Sequence, residues 1–170
     1  MSSKAQLRVK MTLYALVLIL AELLQTSVFG ELNLGIAPCV MPVAVACISL
    51  FEGSERGCIF GLAGGCLWAW STALSMYGAF VIVALTVIGT LAGLITERLL
   101  LRGIQTALSI SAAALALTDG LRTLTWIFSG RVPGGALFTL LLPQSLVALL
   151  FCFLFYAIVS KISQIGGLHG

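Results

Sequence analysis

The chain has 170 residues, 60% of them hydrophobic and only 9% charged, with a formal net charge of +3. Soluble domains carry about 25% charged residues, so this composition excludes a water-soluble fold, and the mean hydropathy of +1.14 points to an integral membrane protein. At ~20 residues per membrane helix, about five to seven spans consume nearly everything, so residues 1–170 read as a single polytopic membrane domain.

Met1 to Lys10 carries Lys4, Arg8 and Lys10 ahead of an apolar run from Met11 to Phe29. A basic start of this kind resembles a secretory signal. The run is nevertheless a full span, and no convincing small-x-small cleavage site follows it. It is therefore expected to stay as helix 1, over 11–29. Glu22 interrupts that run, with Gln25 and Thr26 three and four positions on, which predicts a polar stripe on one helix face. GELNLG, residues 30–35, has turn composition. Helix 2 is expected over 36–51, opened by Pro38, with Pro42 one turn further in marking a kink or a late helix start.

EGSER, residues 52–56, is a short polar turn into helix 3, expected over 57–75. Gly57, Gly61 and Gly65 recur every fourth residue and share one helical face, with Gly64 beside them. In water each glycine inside a helix costs roughly 1 kcal/mol relative to alanine. In a bilayer the same pattern lets a second helix approach backbone to backbone. Gly89 and Gly93 repeat the spacing on helix 4, expected over 79–96 after a break near Ser75–Gly78, so helices 3 and 4 should form an antiparallel hairpin. Either an internal contact or a partner's helix could occupy these six glycines. Trp68, Trp70 and Tyr77 toward the far end of helix 3 are expected in the aromatic belt of the membrane interface.

Helix 5 is expected over 104–128 and helix 6 over 136–160, with the loop-like SGRVPGG between them and Pro143 inside helix 6. Six spans place both termini on one side. With that side inside, the inner segments hold Lys4, Arg8, Lys10, Arg56, Arg98, Arg102 and Lys161, while the outer turns hold Arg131, with Arg122 near an outer helix end. The positive-inside rule then makes both termini cytoplasmic.

A charge at the bilayer centre costs roughly 2.5–3.5 kcal/mol on insertion scales, which singles out Glu22, Asp119 and Arg122. Glu22 is either a buried partner or substrate contact, or a protonated or hydrogen-bonded carboxyl that helps helices pack. Asp119 and Arg122, at i and i+3, can pair on one face near the outer interface, where an arginine snorkels to water. The five cysteines are widely spaced inside apolar runs, and the single histidine, His169, lies in the tail. No disulfide framework, metal site, cofactor site or catalytic set is expected.

The order of these features resembles the bacterial rod-shape-determining membrane protein MreD. The resemblance is carried by LLQTS (Leu23 to Ser27), a short turn to Pro38, Arg56-Gly57 and the Gly57, Gly61, Leu62, Gly65 spacing. Gly89 and Gly93, then LLLPQSL and LFYAIVSKI in the last helix, complete it. Cys39 stands where MreD proteins often carry an acidic residue, and Ala69 or Trp70 where they often carry Asp, which marks a divergent member. The resemblance implies a non-enzymatic component of the cell-elongation machinery in the cytoplasmic membrane. It would bind an MreC-like bitopic partner through helix packing and support lateral peptidoglycan synthesis. The alternative is the substrate-binding S component of an energy-coupling-factor vitamin transporter, which is also a small six-helix protein. S components couple through a small-residue face on helix 1, where this chain has only Ala15 and Ala21.

Overall fold

In a computed structural model, residues 3–28, 39–71, 76–99, 103–128 and 134–164 are described. Among them the chain is all-helical. Helix α1 (Ser3–Leu23) continues as a π-helical turn (Leu24–Val28), followed by α2 (Met41–Glu52), α3 (Ser54–Ser71), α4 (Met76–Leu99), α5 (Ile104–Phe128) and α6 (Gly134–Gln164). Among the described residues three stretches are long and apolar enough to cross a membrane: Gly78–Arg98 in α4, Ile104–Thr125 in α5 and Leu142–Gln164 in α6. Their outer faces present Phe80, Val83 and Leu91 from α4 and Leu146, Leu150 and Phe153 from α6. Large exposed apolar side chains of this kind suit hydrocarbon as the surrounding solvent.

The bundle is built around α2. Every residue from Cys39 to Leu50 is buried, and α2 touches each of the other five helices. A helix that is apolar on all sides belongs in the middle. Its buried hydroxyl, on Ser49, donates to the Val45 carbonyl at 2.8 Å, so no polar group is left over. Twelve residues make a rod of about 18 Å, well short of the ~30 Å hydrocarbon thickness. Of the expected helix over 36–51, residues 36–38 lie outside those described. The described helix starts late, at Met41, with Pro42 in its first turn, where the missing N–H costs nothing.

Gly53 ends α2 at φ +86, a left-handed backbone that glycine adopts freely. Its N–H bonds the Ser49 carbonyl at 3.0 Å, while its own carbonyl accepts from Gly57 N–H at 2.9 Å to start α3. The EGSER segment is thus a single-residue break between two helices, with Ser54, Glu55 and Arg56 already helical.

α3 and α4 make the closest contact in the molecule, and the glycines are its reason. A Cβ on Gly57 would meet the Gly89 carbonyl oxygen, one on Gly61 would lie 2.9 Å from the Leu85 carbonyl carbon, and one on Gly65 would lie 2.7 Å from Ile82 Cα. From the other side, Gly89 abuts the Gly57 backbone and Gly93 abuts Gly53 and Ser54. Partners on α4 fall in number as those on α3 rise, so the pair is antiparallel. Gly64 points elsewhere, toward Val45 and Met41 of α2, at 3.0 and 3.3 Å from a built Cβ. The glycines thus serve two seams inside the bundle.

Further boundaries shift from the sequence expectation. α1 begins at Ser3 rather than 11, α4 extends to Leu99 and α6 runs from Gly134 to Gln164; residues 72–75 of the expected helix 3 lie outside those described. Threonines inside the apolar helices satisfy themselves, as when Thr96 and Thr118 each donate to a carbonyl four residues back at 3.0 Å. One aromatic expectation is corrected. Trp68 is only 4% exposed and belongs to the core, whereas Trp70 is 80% exposed. Residues two apart on a helix face different ways, so Trp68 turns into the bundle while Trp70 turns out of it. The Tyr77 side chain lies outside what is described.

Candidate polar sites at the two ends of the central helix

Polar side chains collect at the two ends of α2. At its C-terminal end, the Glu52 side chain is 1% exposed and accepts from Lys10 Nζ at 2.5 Å and from Arg56 Nη1. The Tyr14 hydroxyl donates to the same carboxylate at 2.8 Å, and Lys10 Nζ also lies 5.9 Å from the Tyr14 ring centroid. Burial pushes the Glu52 carboxyl up, but hydrogen bonds from Lys10, Arg56 and Tyr14 together hold it below the usual carboxylate range. One acid thereby ties α1, α2 and α3 together. Beside it, the Glu97 carboxylate at the end of α4 accepts from the Ser54 backbone N–H at 2.7 Å and from the Ser54 hydroxyl. An acid at a helix start satisfies an orphan donor and opposes the helix dipole.

At the other end, the α-helical hydrogen-bond pattern of α1 gives way to a π turn at Leu24. Gln25 Oε1 then accepts from the N–H groups of Val40 and Met41 at 3.1 and 3.3 Å, capping α2. Thr26 is exposed and bonds the Glu22 carbonyl at 2.8 Å, so the continuous stripe expected from Glu22 through Thr26 is broken up. Replacing Gln25 with Leu leaves two buried N–H groups unpaired. We expect a loss of roughly 1–3 kcal/mol, read as a lower midpoint in denaturation of the protein in detergent.

Asp119, Arg122, Gln144, Ser145 and Cys39 complete this end. Arg122 donates to Gln144 Oε1 at 2.7 Å and to Cys39 Sγ at 3.4 Å. Ser145 donates to Asp119 Oδ2 at 2.7 Å. Asp119 is 7% exposed. The expectation that Arg122 snorkels outward is corrected in one respect: both side chains turn into the bundle, and α2 and α6 supply their partners. Buried polar groups in an apolar bundle are cheaper facing other polar groups than facing hydrocarbon. Glu22 lies at the same end, beside Ser71 of α3. Its carboxylate has the Ser71 hydroxyl as its polar neighbour, and Asp119 has the Cys39 thiol beside it as well as Ser145.

Sequence reasoning marked Glu22, Gln25, Asp119 and Arg122 but missed Cys39, Gln144 and Ser145 as partners of Asp119 and Arg122, and missed the separate Tyr14–Glu52 cluster at the other end. The available signal was the polar pair Gln144-Ser145 interrupting an otherwise apolar run. Halfway down α2, Cys47 Sγ lies 4.0 Å from Cys152 Sγ, which is 3.5 Å from the Ser111 hydroxyl. All five cysteines are free thiols.

These contacts define an all-helical bundle with a short buried central helix, three helices suited to crossing a membrane, and a polar cluster at each end of the centre. No protein-family model, curated protein or solved structure matches the chain.

Proposed function

We propose that this chain is a non-enzymatic, MreD-like component of the bacterial cell-elongation machinery. It sits in the cytoplasmic membrane, crosses it six times with both termini cytoplasmic, and binds an MreC-like bitopic protein to support lateral peptidoglycan synthesis. The observation that carries this reading is the α3–α4 seam, where the small residues named in the resemblance bring two backbones into contact. Packing is what this chain invests its least bulky residues in, and a stiff bundle with an apolar outer surface offers a partner's single helix side-by-side contact. Because the glycines are covered from within, that contact falls on another face. The end holding Lys10, Arg56 and Arg98 is the cytoplasmic one in this arrangement, as the positive-inside rule asks.

The transporter reading has one feature in its favour, the polar cluster at the start of α2 on the side assigned as outer. Against it, Ala15 is exposed while Ala21 is buried, so helix 1 has no shared small-residue face for docking.

Co-purification from the native membrane separates the two. Recovery of an MreC-like protein is expected, and recovery of an ATPase module instead would replace this reading with the transporter. Topology has its own check: in intact cells a cysteine at Ser3 should be protected from an impermeant thiol reagent and one at Gly134 should react. The reverse pattern would invert the orientation.

A further inference from the structure

Three helices bring reactive side chains to one point in the middle of the bundle. Cys47 of α2 and Cys152 of α6 place their sulfurs 4.0 Å apart. Ser111 of α5 sets its hydroxyl 3.5 Å from the Cys152 sulfur and beside Cys47. All three residues are fully buried. The serine behaves differently from other hydroxyls in these helices. Ser49, Thr96 and Thr118 donate to backbone carbonyls four residues back, whereas Ser111 meets a sulfur. A single buried thiol would be an ordinary small hydrophobe. Two thiols in contact, with a hydroxyl against them, can do chemistry.

A disulfide bond is about 2.05 Å long, so the two sulfurs must close by about 2 Å to form one. Side-chain rotation together with a helix shift of about 1–2 Å supplies that movement. Cys152 is the sulfur suited to react first. Cys47 and Ser111 both lie within hydrogen-bond reach of it and can donate to the thiolate it becomes. Cys47 is then in place as the resolving thiol. A metal ion is the other use for paired sulfurs, but among the described residues no third cysteine, histidine or acid joins them. Burial selects the oxidant. An enclosed site admits a hydroperoxide as small and uncharged as hydrogen peroxide, and shuts out bulky disulfides and maleimides.

From this juxtaposition we infer that Cys47 and Cys152 are a peroxide-sensitive thiol pair that closes into a disulfide between α2 and α6. The Cys152 thiolate attacks one oxygen of hydrogen peroxide. An S–O bond forms, the O–O bond breaks, and the departing hydroxide takes up the proton that Cys152 released. Cys47 then attacks the sulfenic sulfur of Cys152. The S–S bond forms, the S–O bond breaks, and a second water leaves with the Cys47 proton. Two thiols lose two electrons and one peroxide becomes two waters. The link joins positions 105 apart in the chain and fastens the central helix to α6. A cross-link over so long a loop stabilises mainly by restricting the unfolded chain. The inference is independent of the elongation reading, since both sulfurs lie inside the bundle, away from any surface a partner's helix could touch.

The test uses the full chain, purified reduced in maltoside detergent and treated while folded with hydrogen peroxide. Free thiols are then alkylated during denaturation, and the peptides are mapped by mass spectrometry without reduction. The expected product is a peptide pair joined through Cys47 and Cys152, on a chain lighter by two hydrogens at those positions. Its melting temperature should rise by roughly 5–10 °C, and the rise should be absent in Cys152→Ser. Ser111→Ala should slow linking several-fold without changing the melt of the reduced chain, and Ser111→Thr should restore the rate. Three results overturn the proposal: both thiols still free once the exposed Cys66 is oxidised, sulfinic or sulfonic acid in place of the link, or either cysteine joined to a different one. An unchanged rate in Ser111→Ala overturns the part assigned to the hydroxyl. If Cys152→Ser does not fold, the peptide map of the unaltered chain decides alone.

Discussion

Replacing Gly61 and Gly65 together with leucine is expected to destabilise the folded state markedly, read as a lower melting temperature in detergent. At Gly61 the added carbons would enter the Leu85 carbonyl, and at Gly65 the Ile82 backbone. Neither can move aside as a flexible side chain does, so α3 and α4 must separate. Overpacking typically costs 1–3 kcal/mol per site, so the pair should lose roughly 2–6 kcal/mol, toward the lower figure because both leucines push the same helix away. The effect also spreads, since α4 and α3 both lean on α2. Two controls make the prediction specific. Cys66 is exposed on the far side of α3, and Cys66→Ala should leave the melt unchanged. Gly120 has nothing within 4 Å of a built Cβ, and Gly120→Ala should fold as well as the parent. Parental melting of the leucine double variant would remove the α3–α4 seam from the description of this fold.

The second large effect belongs to Glu52. Glu52→Gln keeps the shape and an acceptor for Tyr14 but leaves Lys10 and Arg56 without their counter-charge. Removing one member of a buried ion pair costs 3–5 kcal/mol. Here the Arg56 side chain is 40% exposed and can turn to water, so a loss of about 2 kcal/mol is expected. That corresponds to a fall of roughly 4–8 °C in melting temperature for a chain of this size. The pH dependence has a definite sign. The folded carboxyl lies below its ordinary value of 4.5, so its stabilising contribution is fully present above pH 4.5. It is lost as pH falls through the lower folded value. Melting curves from pH 7 downward should show this acid limb in the parent and a weaker one in Glu52→Gln. An identical acid limb in both would show that Glu52 is not the group responsible.

Much of this arrangement could be read before any fold was known, but unevenly. The glycine spacing on helices 3 and 4 announced a close approach because a helix places every fourth residue on one face whatever surrounds it. It did not say that Gly64 serves a different neighbour, since a turn of helix carries more than one contact direction. Helix 5 was legible at its start, near Ile104, whereas Asp119 and Arg122 ahead of a last apolar patch obscured its far end. α2 was harder: as a run of residues it looked like any of its neighbours, and only burial on every side reveals it as the centre. The polar residues followed the same rule. Asp119 and Arg122 were visible as charges in an apolar setting, but their partners Gln144, Ser145 and Cys39 come from two other helices.

What the sequence determined by itself is the solvent and the periodicity. A composition with so few charges demands hydrocarbon around it, and the apolar runs demand helices because a helix alone satisfies its own backbone there. What only the tertiary structure decided is which helix stands in the middle and which polar groups meet. Those choices depend on contacts between residues far apart in the chain, as with Tyr14 and Glu52 or Cys39 and Arg122, and no local pattern encodes a distance between helices.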